Sequence, residues 1–240
     1  MPETFAPAPQ TSVTTPPALP AAVLWDMDGT LVDTEPYWIG AEHELVAEHG
    51  GTWSHEQALQ LVGNDLTVSA AILRDQGGVD LPVDAIVERL LGRVVEQVRE
   101  HVPWQPGALE LLTALAEAGV PCALVTMSYT VLAEEVVSRG PAGAFVTVVT
   151  GDQVERGKPD PEPYLIAAQR LGVDPADCVA IEDSPTGIAS ARAAGVATLG
   201  VEAVLPVPRL DGLSRAASLE RVDVPTIARI AAGEVVDLTR

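Results

Sequence analysis

Lysine is almost missing from this chain. Of 240 residues only Lys158 carries that side chain, and the other basic residues are arginines. Positive charge is scarce altogether: 14 Lys and Arg stand against 34 Asp and Glu, a formal net charge of -20. That balance excludes nucleic acid and anionic membrane as partners, since both need basic patches. It leaves room for an anionic metabolite at a locally positive site. Cysteine is equally sparse. Cys122 and Cys178 each sit in an apolar segment and read as free thiols in a reduced core. The histidines at 43, 49, 55 and 101 show no zinc spacing and read as surface or packing residues. No run of eighteen apolar residues occurs, so no helix is expected to span a membrane. The N-terminus lacks a basic stretch followed by an apolar one, so it does not read as a signal peptide, and the cytoplasm is the default location. Rich in Pro, Thr and Ala, residues 1–18 read as a flexible tail.

What is present is a folding sequence, 47% apolar. Its length fits one large domain, or a core with a smaller insert. Five short, Val-rich runs read as buried parallel strands: 21–25, 122–126, 145–149, 178–181 and 196–200. Between the later ones lie helical patterns at 108–119, 161–172 and 184–195, each closed by a glycine. This alternation predicts an α/β fold, a Rossmann-like parallel sheet with helices on both faces. Residues 36–105 break the rhythm with four amphipathic helical patterns and no buried strand. They predict a helical cap domain inserted after the first strand, with residues 19–35 and 106–240 forming the core.

Open α/β sheets bind ligands at the C-terminal ends of their strands. The first strand is followed by Asp26, Asp28, Gly29 and Thr30, and the second by Thr126 and Ser128. Lys158 lies a little beyond the third, and Glu182, Asp183 and Ser184 follow the fourth. Asp26, Glu182 and Asp183 crowded into one pocket would repel one another unless a hard cation sat among them, and oxygen ligands select Mg²⁺. A phosphate is the natural further partner, with Thr126, free backbone N–H groups and Lys158 for its remaining oxygens. Asp26 is placed to attack phosphorus. Asp28 is placed to protonate the leaving alkoxide and then to deprotonate water.

These residues carry a resemblance. Asp26 to Glu35 reads DMDGTLVDTE, Thr126 follows a hydrophobic strand, Lys158 lies in GKPDPEPY, and Glu182 and Asp183 lie in EDSPTG. The four motifs, in this order, resemble the haloacid dehalogenase-like superfamily, and in particular its small-helical-cap phosphatases related to beta-phosphoglucomutase-like proteins. The likeness spans about residues 20–202. It implies that Asp26 is the nucleophile and Asp28 the general acid/base, whose backbone carbonyl also binds Mg²⁺. It further implies that Asp183 is a direct metal ligand with Glu182 beside it or supporting it. The expected function is a Mg²⁺-dependent phosphatase of a small phosphorylated metabolite, a sugar phosphate being one such ester. The sequence carries no signal for an oligomeric state.

Departures narrow the branch. The dehalogenases lack the second Asp of the first motif, and Asp28 is present here. The phosphonate-cleaving branch needs a cap lysine, and none exists in residues 36–105. The mutase branch typically carries a His shortly after the first motif, where this chain has Trp38, and a cap Arg where it has Gly63, Asn64 and Asp65. A phosphomutase is therefore the alternative, and a non-enzymatic metal-binding regulator on the same fold a second. In the cap, Asn64 is the candidate for substrate contact. Trp38 and Tyr37 read as packing residues of the hinge, and Glu35 and Tyr129 as secondary leaving-group candidates. The arginines at 74, 89, 93 and 99 are the bases a leaving group would meet if they turned inward.

Overall fold

The computed structural model describes residues 17–204 and 206–240. Most of the tail expected at 1–18 therefore lies outside the described residues, and Pro17 and Ala18 are exposed coil. Seven parallel strands form one sheet in the order β3-β2-β1-β4-β5-β6-β7. They are β1 (Ala22–Trp25), β2 (Cys122–Val125), β3 (Phe145–Val149), β4 (Cys178–Glu182), β5 (Ala197–Val201), β6 (Ser214–Ala216) and β7 (Asp237–Leu238). β1 pairs with β2 on one side and with β4 on the other. The loops carrying Asp26, Thr126 and Asp183 thus leave the sheet side by side.

The central strands bury both faces, as their continuous apolar runs require. Val23 and Trp25 face one layer, which includes Leu111, Leu115 and Leu132. Ala22 and Leu24 face the other, which includes Tyr164, Ala167 and Ala191. The layers are supplied by α5 (Ala108–Glu117), α6 (Thr130–Val137) and α9 (Val224–Ala231) on one side, and by α7 (Glu162–Leu171) and α8 (Pro185–Ala193) on the other. Cys122 and Cys178 are free and buried, one in each layer.

Two expectations about strands need correction. The run at 145–149 is an edge strand, with its outer side unpaired and Val146 exposed. Its valines reflect β-propensity and packing on one side, not double burial. The sheet also gains β6 and β7. Ser-Arg-Ala and Asp-Leu offer no apolar run, and an Arg215–Asp237 ion pair of 2.5 Å joins them across the ladder.

Between β1 and β2 the chain makes α1 (Glu35–Glu48), α2 (His55–Leu59), α3 (Leu66–Gly77) and α4 (Val83–Glu100), and α5 then returns to the core. These four helices are the cap. α4 buries Ile86, Val87, Leu90, Leu91, Val94, Val95 and Val98 along one stripe, the i, i+3, i+4 pattern that made it legible. The outgoing and returning connections are bonded together. Asp33 N–H donates to Pro103 O at 2.7 Å, Gln105 N–H to Leu31 O at 3.0 Å, and the Gln105 amide to Gly29 O at 2.8 Å.

Leu124, fully buried in β2, and Val146, exposed on β3, make a paired test of this sheet. Leu124→Ala should destabilise the fold by about 2–5 kcal/mol, while Val146→Ala should change it by about 0.5 kcal/mol or less. Urea unfolding followed by fluorescence and circular dichroism measures both.

Candidate active site

The end of β1 turns sharply. Gly29 has φ +86°, a left-handed conformation that L side chains rarely adopt, and a Cβ there would stand 2.1 Å from Asp183 Oδ2. Glycine is thus what lets the loop after β1 lie against the acid after β4. A second close approach occurs at Gly187, where a Cβ would fall 1.9 Å from Glu182 Oε1.

Lys158 reaches this point from the loop beyond β3, its peptide bond to Pro159 being cis. Its ammonium donates to Asp26 Oδ1 at 2.6 Å, to Glu182 Oε1 at 2.6 Å and to Val125 O at 2.9 Å. The Tyr164 hydroxyl also donates to Glu182 Oε1, at 2.6 Å, and the Tyr164 ring lies under the ammonium, 5.3 Å from centroid to nitrogen. Burial opposes the lysine's charge, but Asp26 and Glu182 outweigh it and hold its pKa above the ordinary lysine range. Asp26 is raised to about 7, by burial first and by Glu182 next, with Lys158 opposing. Asp183 is raised well above the carboxylate range by burial, Asp26 and Glu182.

Asp26, Glu182 and Asp183 each place an oxygen within 4.8 Å of the others. Asp26 Oδ2 is buried with no hydrogen-bond partner. Three buried carboxylates, one with an orphaned oxygen, fit a hard divalent cation with oxygen ligands, and Mg²⁺ is that cation. The side chain of Asp28 lies outside this cluster. Its carboxylate accepts from Thr34 Oγ1 (2.5 Å), Ser128 Oγ (2.8 Å), Thr126 Oγ1 (3.2 Å) and Trp38 Nε1 (3.2 Å).

A cleft between cap and core opens on these groups. Asp26, Asp28, Thr126, Ser128, Lys158 and Asp183 line its floor, and Asn64 lines it from the cap. The Asn64 amide donates to Gln60 O at 2.9 Å, which holds the end of its loop. Beside it, Gly63 O accepts from Thr186 Oγ1 at 3.2 Å, so the cap touches the loop that follows the acid pair. Tyr129 is not part of the lining.

The facing of the cap side chains departs from expectation at Trp38 and at Glu42. Trp38 is not simply hinge packing: it lines the cleft and bonds Asp28. The four cap arginines turn outward to Asp75, Glu48, Glu44 and Glu96, and Glu135, and none lines the cleft. Glu35 lines the cleft, and so does Glu42, which the sequence reading missed. Both follow Trp38's face of α1 at helical spacing, and an acid in an otherwise apolar stripe was the available signal. Tyr164 was also missed; nothing in its helix marks it except its place six residues after Lys158.

Burial raises Glu35 to about 8 and Glu42 to about 7, from an ordinary 4.5. Between pH 4.5 and about 8 the folded protein therefore keeps protons that the unfolded chain has released. Their contribution to stability is fully present below 4.5 and is lost as pH rises through about 7 and about 8. In EDTA, the melting temperature should fall between pH about 5 and about 8, and Glu35→Gln should flatten that fall. Thermal scans across the pH series check it; an unchanged slope in the variant would remove Glu35 as a cause.

The family described as haloacid dehalogenase-like hydrolase matches residues 23–201. Hexitol phosphatase A of Escherichia coli is 33% identical over 202 residues, which cover 84% of this chain and 92% of that protein. N-acetylmuramic acid 6-phosphate phosphatase of Pseudomonas aeruginosa is 36% identical over 187 residues, 75% of this chain and 80% of the relative. Among solved structures, CbbY from Rhodobacter sphaeroides in complex with phosphate superposes with a TM-score of 0.76 at 27% identity, covering 85% of this chain and 96% of that one.

Proposed function

The chain belongs to the haloacid dehalogenase-like hydrolases and is a Mg²⁺-dependent phosphoric monoester hydrolase, and we propose that its substrate is a small sugar or polyol phosphate. In this reading residues 19–35 and 106–240 form the core and 36–105 the cap. Asp26 is the nucleophile, Asp28 the general acid/base, and Thr126, Ser128, Asn64 and Lys158 bind the ester. One observation carries the reading: a buried amine holds one oxygen of Asp26 and leaves the other free, beside two further buried acids.

The steps follow from the groups. Asp26, whose ionised form the Lys158 ammonium favours against burial and Glu182, forms a bond from a carboxylate oxygen to phosphorus, and the ester P–O bond breaks. Asp28 gives the leaving oxygen its proton, and the alcohol departs. Asp28 then takes a proton from water as that water attacks the phosphoaspartate, and inorganic phosphate leaves. The Thr126 and Ser128 hydroxyls that hold Asp28 also line the cleft. Asp26, Asp183 and Glu182, with the Asp28 carbonyl that the family resemblance adds, would hold Mg²⁺, which would supply charge neutralisation and orientation of the phosphoryl group.

The leaving group is less constrained by the core. Relatives named as phosphatases of hexitol and of N-acetylmuramic acid 6-phosphate support a phosphorylated sugar or polyol. Among the described residues Lys158 is the single basic side chain of the cleft lining, which favours hydrolysis over a mutase that must hold a second phosphate.

Asp26→Asn should abolish turnover without unfolding the chain, and acid-quenched wild type should carry phosphate on Asp26 by peptide mass spectrometry. Label on another residue would overturn the assignment. Asp28→Asn should cost about 10²–10⁴-fold with alkyl esters and less with a good leaving group. EDTA should remove turnover and Mg²⁺ restore it.

Lys158→Ala should lower kcat/KM for every ester tested, because it holds Asp26, the nucleophile common to all of them in this reading. Lys158→Arg should remain impaired, since a planar fork does not reproduce the amine's three contacts. A panel of esters at saturating Mg²⁺ decides between this and a merely structural lysine, which arginine would rescue.

A further inference from the structure

The cleft has a distal wall whose two carboxyls take no role in the phosphoryl transfer proposed above. Helix α1 presents Glu35, Trp38 and Glu42 on one face, and all three are buried. Glu42 is only 5% exposed, and its Oε2 accepts from the Trp53 indole N–H at 3.2 Å. Among the described residues Trp53 is the one hydrogen-bond partner found for Glu42, and none is found for Glu35, itself 7% exposed. Two nearly buried carboxyls thus retain hydrogen-bonding capacity toward the cleft. Around them the wall is neutral: Asn64 and Ser69 are polar, and Leu61, Leu66 and Leu90 apolar.

Two properties of this wall bear on the leaving group. Burial places both carboxyls near their titration points at neutral pH, so each can donate as well as accept, which suits a hydroxyl. Among the described residues no cation is available for a second anion, since the cap arginines are paired on the outer surface and the Lys158 ammonium is committed to Asp26 and Glu182. An anionic substituent at this wall would lose water and gain no counter-charge.

We propose, resting on the phosphatase reading above, that Glu42 is a specificity-determining residue. Held by Trp53, it reads a hydroxyl of an uncharged polyhydroxylated leaving group and disfavours a leaving group bearing a carboxylate or a second phosphate. The chemistry at Asp26 is common to all esters; the choice among them is made on α1.

Sorbitol 6-phosphate and 6-phosphogluconate are matched probes, since they differ in a hydroxymethyl group against a carboxylate. Their kcat/KM values are measured at saturating Mg²⁺ for wild type, Glu42→Gln and Glu42→Arg. Wild type should favour the polyol ester by about tenfold or more. Glu42→Arg should narrow or invert that ratio by about tenfold, mainly through KM for the acid. Glu42→Gln keeps the volume and an acceptor for Trp53, and should retain polyol turnover while narrowing the ratio less. If Glu42→Arg fails to fold, the Gln variant and competitive inhibition of wild type by sorbitol against gluconate give the same comparison. A ratio unmoved within about twofold in the folded variants, or equal inhibition by the two products, overturns the role of Glu42 alone. Turnover of neither probe nor of any aryl phosphate overturns the phosphatase reading and this inference together.

Discussion

The ammonium of Lys158 ties together three segments that are distant in sequence: the end of β1 through Asp26, the end of β2 through Val125 O, and the end of β4 through Glu182. Buried carboxylates this close take up protons unless positive charge is supplied. The lysine supplies one unit at fixed geometry and leaves Asp26 Oδ2 and Asp183 facing the space a cation fits. Such an arrangement is expensive to bury and strongly destabilising to break by removing one partner. It is tolerable here because the sheet delivers every partner in place. β1 lies between β2 and β4, and Tyr164 on α7 completes the bonding of Glu182 from below.

The cap divides its charges by face. Its arginines join glutamates and aspartates on the outside, where such pairs contribute little to stability but keep the surface solvated. Its inner face holds acids without bases. A chain of net charge -20 could have met an anionic substrate with repulsion throughout. Instead the attraction is concentrated in one amine at the floor of the cleft.

The core was legible because its chemistry is written in contiguous motifs at strand ends, where a few residues fix both the turn and the functional group. Asp26, Asp28, Thr126, Lys158, Glu182 and Asp183 all converge as their positions after apolar runs imply. The cap helices were equally legible from the stripe on α4. What the sequence hid depends on facing and pairing. Nothing local distinguishes Trp38 packed in a hinge from Trp38 bonded to Asp28, or an arginine turned in from one turned out. β6 and β7 are strands only because β5 offers them an edge, so their residues carry no strand pattern of their own. Tyr164 looks like any helical aromatic until the fold sets Glu182 above it.

The hydrogen bond from the Trp38 indole to Asp28 spans the border between the two halves of the molecule. Its donor rides on the first cap helix and its acceptor on the loop of the first strand. An outward swing of α1 breaks it, and with it one of the four bonds that aim the carboxylate. The orientation of the Asp28 side chain is therefore tied to how the first cap helix sits on the core: the cap supplies one of its four bonds, and the loop of the first strand and the end of β2 supply the rest.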